Sequence, residues 1–123
     1  MTIKEAIDRL DALMPNTYTE AEKIAWLSAL DGLVYDRVLS THEGGPESFS
    51  PYDTSTARTT VLLVPAPYDD VYLFFMQARI LYFNGEIRRQ NNASRLFDEL
   101  FDAFRDRYNA THAPLGCDRR LGG

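Results

Sequence analysis

The side chains able to do chemistry are few, and their spacing works against most of it. Asp69 and Asp70 are adjacent carboxylates, the kind of pair that acid–base work or a metal would use. Neighbouring helical positions point apart, however. Both residues suit a helix start better, Asp69 capping free amides and Asp70 favouring the positive end of the dipole. His42 and His112 are the only histidines and belong to no HExxH or Cys-x-x-Cys spacing, which argues against zinc. Cys117 stands in a glycine-bearing stretch without a patterned histidine, so a thiol nucleophile lacks its base. Gly44-Gly45 runs into Pro46 and a polar stretch, not from a strand into a helix, so there is no phosphate cradle. Arg79, Arg88, Arg89 and Arg95 against Glu86, with Tyr82 and Phe83 nearby, form a pattern that could stack and hold a nucleic acid. Helix-end electrostatics and ion pairs between subunits account for it more simply. The expectation is a non-enzyme with no cofactor, metal or small-molecule substrate, no specific nucleic-acid recognition and no membrane segment.

Positioning even a binding surface requires a core, and the chain can build one. At 123 residues a single domain is expected. The 45% hydrophobic and 25% charged content is that of an ordinary globular protein. The longest mostly apolar run, 71–83, is interrupted by Gln77 and Arg79 and is too short to span a bilayer. The amphipathic, charged N-terminus does not read as a signal peptide, and the lone cysteine fits a reducing, cytoplasmic setting. Net charge is −5 but uneven. Residues 1–57 carry four basic against ten acidic side chains, and 58–123 carry nine against eight. That balance disfavours a general affinity for phosphate backbones and is compatible with subunits meeting through complementary faces.

In chain order, Thr2 with Glu5 and Thr19 with Glu22 are capping-box signatures for two helices. Ile3, Ala6, Ile7, Leu10 and Met14 form the stripe of the first, ended by Pro15-Asn16. The second carries Ile24, Trp26, Leu27, Leu30, Val34 and Val38 and should fade near 40–42. Its Gly32 predicts a close packing contact. Residues 43–58 have no helical period and read as a long loop, either a flexible surface segment or an arm that orders on a partner. Phe49 and Tyr52 are its docking anchors and candidate contacts. The β-branched run 59–64, with Val61 and Leu63 as further candidate contacts, should be extended. It would pair with 47–52 or with a neighbouring subunit.

The stretch 69–108 is the expected centre, since ten of the fourteen Phe and Tyr residues lie between Tyr68 and Tyr108. A helix over 70–90 would bury Val71, Phe74, Phe75, Ala78, Leu81 and Tyr82. Gln90-Asn91-Asn92 predicts a bend, with Asn92 capping a second arm over 93–109 whose stripe is Ala93, Leu96, Phe97, Leu100, Phe101, Phe104 and Tyr108. One continuous helix is the competing reading; two arginines on the joint seam favour the hairpin. Residues 115–123 read as a mobile tail. The predicted fold is mostly α: a small bundle of about four helices with a central helical hairpin, one long loop and at most a short β-strand or hairpin.

Pro67-Tyr68-Asp69-Asp70-Val71-Tyr72, Tyr82-Phe83-Asn84-Gly85-Glu86, Asn91-Asn92-Ala93 and the run Tyr108 to Pro114 resemble a group of small prophage proteins encoded among head and portal genes. The layout of two capped helices followed by a long polar loop is similar to head–tail connector, or adaptor, proteins of tailed phages. That resemblance implies a homo-oligomeric ring subunit contacting the portal or neighbouring neck proteins, in the host cytoplasm during assembly and at the virion's head–tail junction afterwards. Two other classes remain open, a small helical adaptor or chaperone-like module and a nucleic-acid-binding packaging or regulatory factor.

Overall fold

A computed structural model describes residues 1–115. Four helices form the body: α1 (Ile3–Leu13), α2 (Glu20–Arg37), α3 (Val71–Phe83) and α4 (Ile87–Thr111), with a 3-10 turn at Leu39–Thr41. The fold is a mostly helical bundle with a helical hairpin, α3–α4, and one long connection between α2 and α3. The tail expected over 115–123 falls, beyond Leu115, outside the described residues.

The start of α1 illustrates how local chemistry sets the layout. Thr2 must be extended to cap the helix (φ −90°, ψ 168°), and its side chain and that of Glu5 close the capping box. The next free amides, of Ile3 and Lys4, donate to the Thr60 and Arg58 carbonyls at 3.0 Å each. All the orphan donors of the first turn are thus satisfied. The amide of Leu62 reaches the Met1 carbonyl at 2.9 Å, leaving an isolated antiparallel bridge between Thr2 and Val61. Residues 59–64 are not the extended run expected: Val61 alone makes a bridge, to the chain's own Thr2, while Thr59 lies in a turn and Leu63 and Val64 in a bend, and the pairing is not with 47–52. An N-cap has extended backbone ready for a partner, and residues 47–52 are engaged elsewhere.

Residues 43–58, expected as a free loop or a partner's arm, lie along α2. Tyr52 donates its amide to Ser28 Oγ (2.9 Å), Tyr35 donates its hydroxyl to the Glu47 carbonyl (2.5 Å), and Arg58 pairs with Glu20. Phe49 stacks edge-on against Tyr52 and covers Gly32, where a β-carbon would sit 3.7 Å from the ring. That is an ordinary van der Waals distance, so the contact expected at Gly32 is present but not close enough to require glycine. Lys23, almost fully buried, reaches Asp11 at 2.7 Å and holds α2 to α1.

The hairpin exists, but its bend lies at 84–86 and not at 90–92. Gly85 has φ +75°; its amide donates to the Tyr82 carbonyl (3.1 Å) and that of Glu86 to the Leu81 carbonyl (2.9 Å). This pair of bonds is the glycine-terminated helix stop in which a left-handed residue satisfies the last carbonyls. Asn92 is therefore not a cap; it is an exposed residue inside α4, which runs unbroken through 90–92. Asp69 does not cap α3 either. The residue at the cap position is Asp70, without a side-chain capping bond, because successive turn bonds from 68 to 74 occupy the entering amides. The two carboxylates instead face α1, Asp69 near the Met1 amino group (3.7 Å) and Asp70 near Arg9 (3.6 Å). The Ala66–Pro67 peptide is cis.

The core also sits differently from the expectation. It is built from α1, α2, residues 62–64 and α3, with Tyr72, Leu73, Met76 and Ile80 buried and Tyr82 exposed. α4 fully buries only Ala93 and Phe104, since it packs chiefly on α3. Gly85→Ala should keep the fold but destabilise it by about 1 kcal/mol, the cost of a β-carbon in left-handed backbone. Chemical denaturation would measure the loss, and an unchanged midpoint would show that the stop does not depend on glycine.

Candidate functional site: a buried carboxylate hub and an exposed aromatic seam

Two arrangements could matter for function, and they lie in different places. The first is Asp31, in the middle of α2 and 0% exposed. Its Oδ1 accepts from the Tyr72 hydroxyl (2.6 Å). Its Oδ2 accepts from the Tyr52 hydroxyl (2.6 Å) and the Leu63 amide (3.1 Å). Tyr72 in turn accepts from the Val64 amide at 2.7 Å. No cation faces this carboxyl among the described residues. Burial pushes it above the ordinary carboxylate range, and the bonds from Tyr52, Tyr72 and Leu63 oppose that shift. Both tyrosines are pushed up as well, chiefly by burial. A carboxylate that water does not reach, held by donors from three segments, is a structural hub.

The second arrangement is an aromatic seam along α4. Phe75 meets Phe97 at 5.6 Å between ring centres, Phe97 stacks on Phe101 at 5.5 Å, and Phe101, Phe104 and Tyr108 follow in contact. Phe97, Leu100, Phe101 and Tyr108 are only half-buried. A groove of about 490 Å³ runs between α3 and α4, lined by Phe75, Arg79, Tyr82, Phe97 and Asp98. A second, of about 370 Å³, lies between α2 and α4 against Leu33, Phe97, Phe101 and Asp102. They share Phe97 and Asp98, so the apolar surface is continuous. At the hairpin tip Tyr82, Phe83 and Ile87 are more than half exposed, with Phe83 resting on Trp26 and Tyr18.

The residues singled out from sequence scatter across these places. Phe49 and Tyr52 serve the chain's own loop and hub. Leu63 packs on the core, and Val61 is 66% exposed beside the N-terminal bridge. Arg79 lies over the Phe75 ring at 5.1 Å, inside the groove. Arg89 pairs with Glu86 and Arg95 with Glu99, while Arg88 is exposed at the tip. The arginines therefore do not converge on one patch. Thr2 and Thr19 accept from the amides of Glu5 and Glu22 as expected. Asp31 was missed, and a lone acid inside the apolar stripe of α2 was the signal that could have found it.

At the far end of α4, His112 stacks on Tyr108 at 3.7 Å and His42 meets the same ring edge-on. Among the described residues no three His, Cys, Asp or Glu side chains converge as metal ligands, and no helix is long and apolar enough to cross a membrane. Comparison with family models, curated proteins and solved structures gives no match to this chain.

Asp31→Asn would turn an amide N–H toward donors and should cost about 2–4 kcal/mol. The raised folded-state carboxyl holds its proton more tightly than the unfolded one, so its contribution is full at acid pH. It is lost as pH rises from the ordinary value of about 4 through the raised one. The stability gap between wild type and Asp31→Asn, followed by denaturation at several pH values, should therefore narrow as pH rises. A gap that widens would mean that the ionised carboxylate is the form the hub prefers.

Proposed function

We propose that the protein is a non-catalytic assembly subunit that works through protein contacts, and that it serves as a head–tail connector subunit beside a phage portal. The observation that carries the contact reading is the α4 seam, a run of half-buried aromatics bordered by the charged side chains Arg37, Arg79, Asp98, Asp102 and Arg105. Contiguous apolar surface rimmed by charge is the usual mark of a protein-binding face. The phage role rests on the resemblance of residues 64–114 to small prophage head and portal-region proteins. A rigid helical body and a long loop laid along it suit a ring subunit. An acidic first half, with ten carboxylates in residues 1–57, suits a passage that must not retain DNA.

The dispersal of Arg79, Arg89 and Arg95 into a ring contact and two local ion pairs weakens the case for a nucleic-acid platform. Native mass across a concentration series, alone and with a candidate portal protein, tests the proposal. The expected outcome is a closed oligomer larger than a dimer, formed alone or on mixing. A monomer under every condition would overturn it and leave the small-adaptor reading, in which a partner binds in fixed low stoichiometry.

A further inference from the structure

We propose that Asn84 is a site of spontaneous deamidation, and that the turn between α3 and α4 holds the reaction shut. This goes beyond the contact reading and does not rest on it. Of the five asparagines, Asn84 alone precedes a glycine; the others precede Thr17, Asn92, Ala93 and Ala110, whose side chains hinder attack by the next main-chain nitrogen. The same dipeptide makes the helix stop, since glycine takes the +75° φ at 85 without strain. Residues 84 and 85 are exposed, and nothing lies within 4 Å of where a Gly85 β-carbon would sit, so water reaches the turn.

In the reaction, the Gly85 nitrogen gives its proton to hydroxide and bonds to the side-chain carbonyl carbon of Asn84. That carbon loses its amide nitrogen, which takes a proton from water and leaves as ammonia. The five-membered imide then takes up one water and opens to an aspartate or a β-linked isoaspartate at position 84. The folded turn opposes the first step twice. The Gly85 N–H donates to the Tyr82 carbonyl at 3.1 Å, so its proton is engaged. Asn84 has ψ −3°, which sets the Gly85 nitrogen beside Asn84's own nitrogen and away from its β-carbon. Closing the ring means rotating ψ out of the helical region, and that rotation pulls apart the 2.9 Å bond from the Glu86 amide to the Leu81 carbonyl. The reaction therefore proceeds through molecules whose turn has opened. The β-linked product adds a carbon to the main chain between 84 and 85, so both bonds of the stop lose their spacing and the modification undoes it.

The experiment incubates the folded protein and the free peptide Ile80–Arg88, which trypsin releases by cutting after Arg79 and Arg88, in one mildly alkaline buffer. Peptide maps by mass spectrometry follow the amide-to-acid mass gain and the two acid products. The folded protein should convert at least about tenfold more slowly than the peptide, the ratio reporting how rarely the turn opens. Equal rates would overturn the gate, and a peptide that does not convert would overturn the site. Thermal midpoints then compare aged protein with fresh Asn84→Asp, which carries the new charge on an unaltered main chain. The aged protein should melt below that variant. Coincident midpoints would show that the β-linked product fits the turn, and would overturn the undoing of the stop.

Discussion

The fold depends on one carboxylate. Asp31 is shut away from water in the middle of α2, where an unbonded charge or even an unbonded carboxyl is costly. It is tolerable only while Tyr52 from the loop, Leu63 from the bend before Pro65 and Tyr72 from α3 all point at it. Those donors are 21, 32 and 41 residues away, so satisfying one without the others leaves a buried group unpaired. The result is a cooperative clamp: the loop cannot lift from α2 without exposing the hub, and α3 cannot shift without orphaning the Val64 amide that Tyr72 accepts.

The hub also settles the division of labour between the two arms of the hairpin. α3 is gripped by α1, α2 and residues 62–64 on one side and covered by α4 on the other, which explains why it is apolar almost all round. α4 has α3 as its chief neighbour, with α2 beside it across a groove and residues 39–46 and Tyr68 near its C-terminal end. Its 25 residues extend over about 37 Å, and along the stretch opposite α3 its outer side has no full cover, so Phe97 and Phe101 stay half-buried although Phe97 meets Phe75. The inner arm is core in the usual sense, whereas the outer arm borrows its order from α3.

How much of this was legible follows the same physics. Signals that act within a few residues were readable: the capping box at Thr2, the cap at Thr19 (though without the reciprocal bond from Glu22), the fading of α2 near Thr41, the number of helices, and the docking roles of Phe49 and Tyr52. Signals that depend on a distant partner were not. The expected burying face of α3 omitted Tyr72 and Met76, because a segment apolar on every side has no periodicity to choose by. The bend went to Asn91-Asn92, since consecutive amides look like a stop, while Asn84-Gly85 held the only residue that adopts positive φ without strain. Nothing local marks 59–64 as the partner of residues 1–3. Asp69 and Asp70 look like caps until α1 is seen lying across them. The seam was taken for interior because its spacing is that of a core helix, and spacing alone does not say how many neighbours a helix will have.

Separation of hub and seam has a consequence for how such a protein can change. The polar partners of the groups that hold the fold (Asp31, Tyr72, Lys23 and the first residues of α1) lie neither in the hairpin tip nor in α4. Substitutions on the outer face of α4 can therefore alter what the protein meets without unpicking the clamp, as expected for sites without shared partners. α4 is the least buried helix of the hairpin, so covering Phe97 and Phe101 with another surface adds to its stability by mass action, while the hub is already complete.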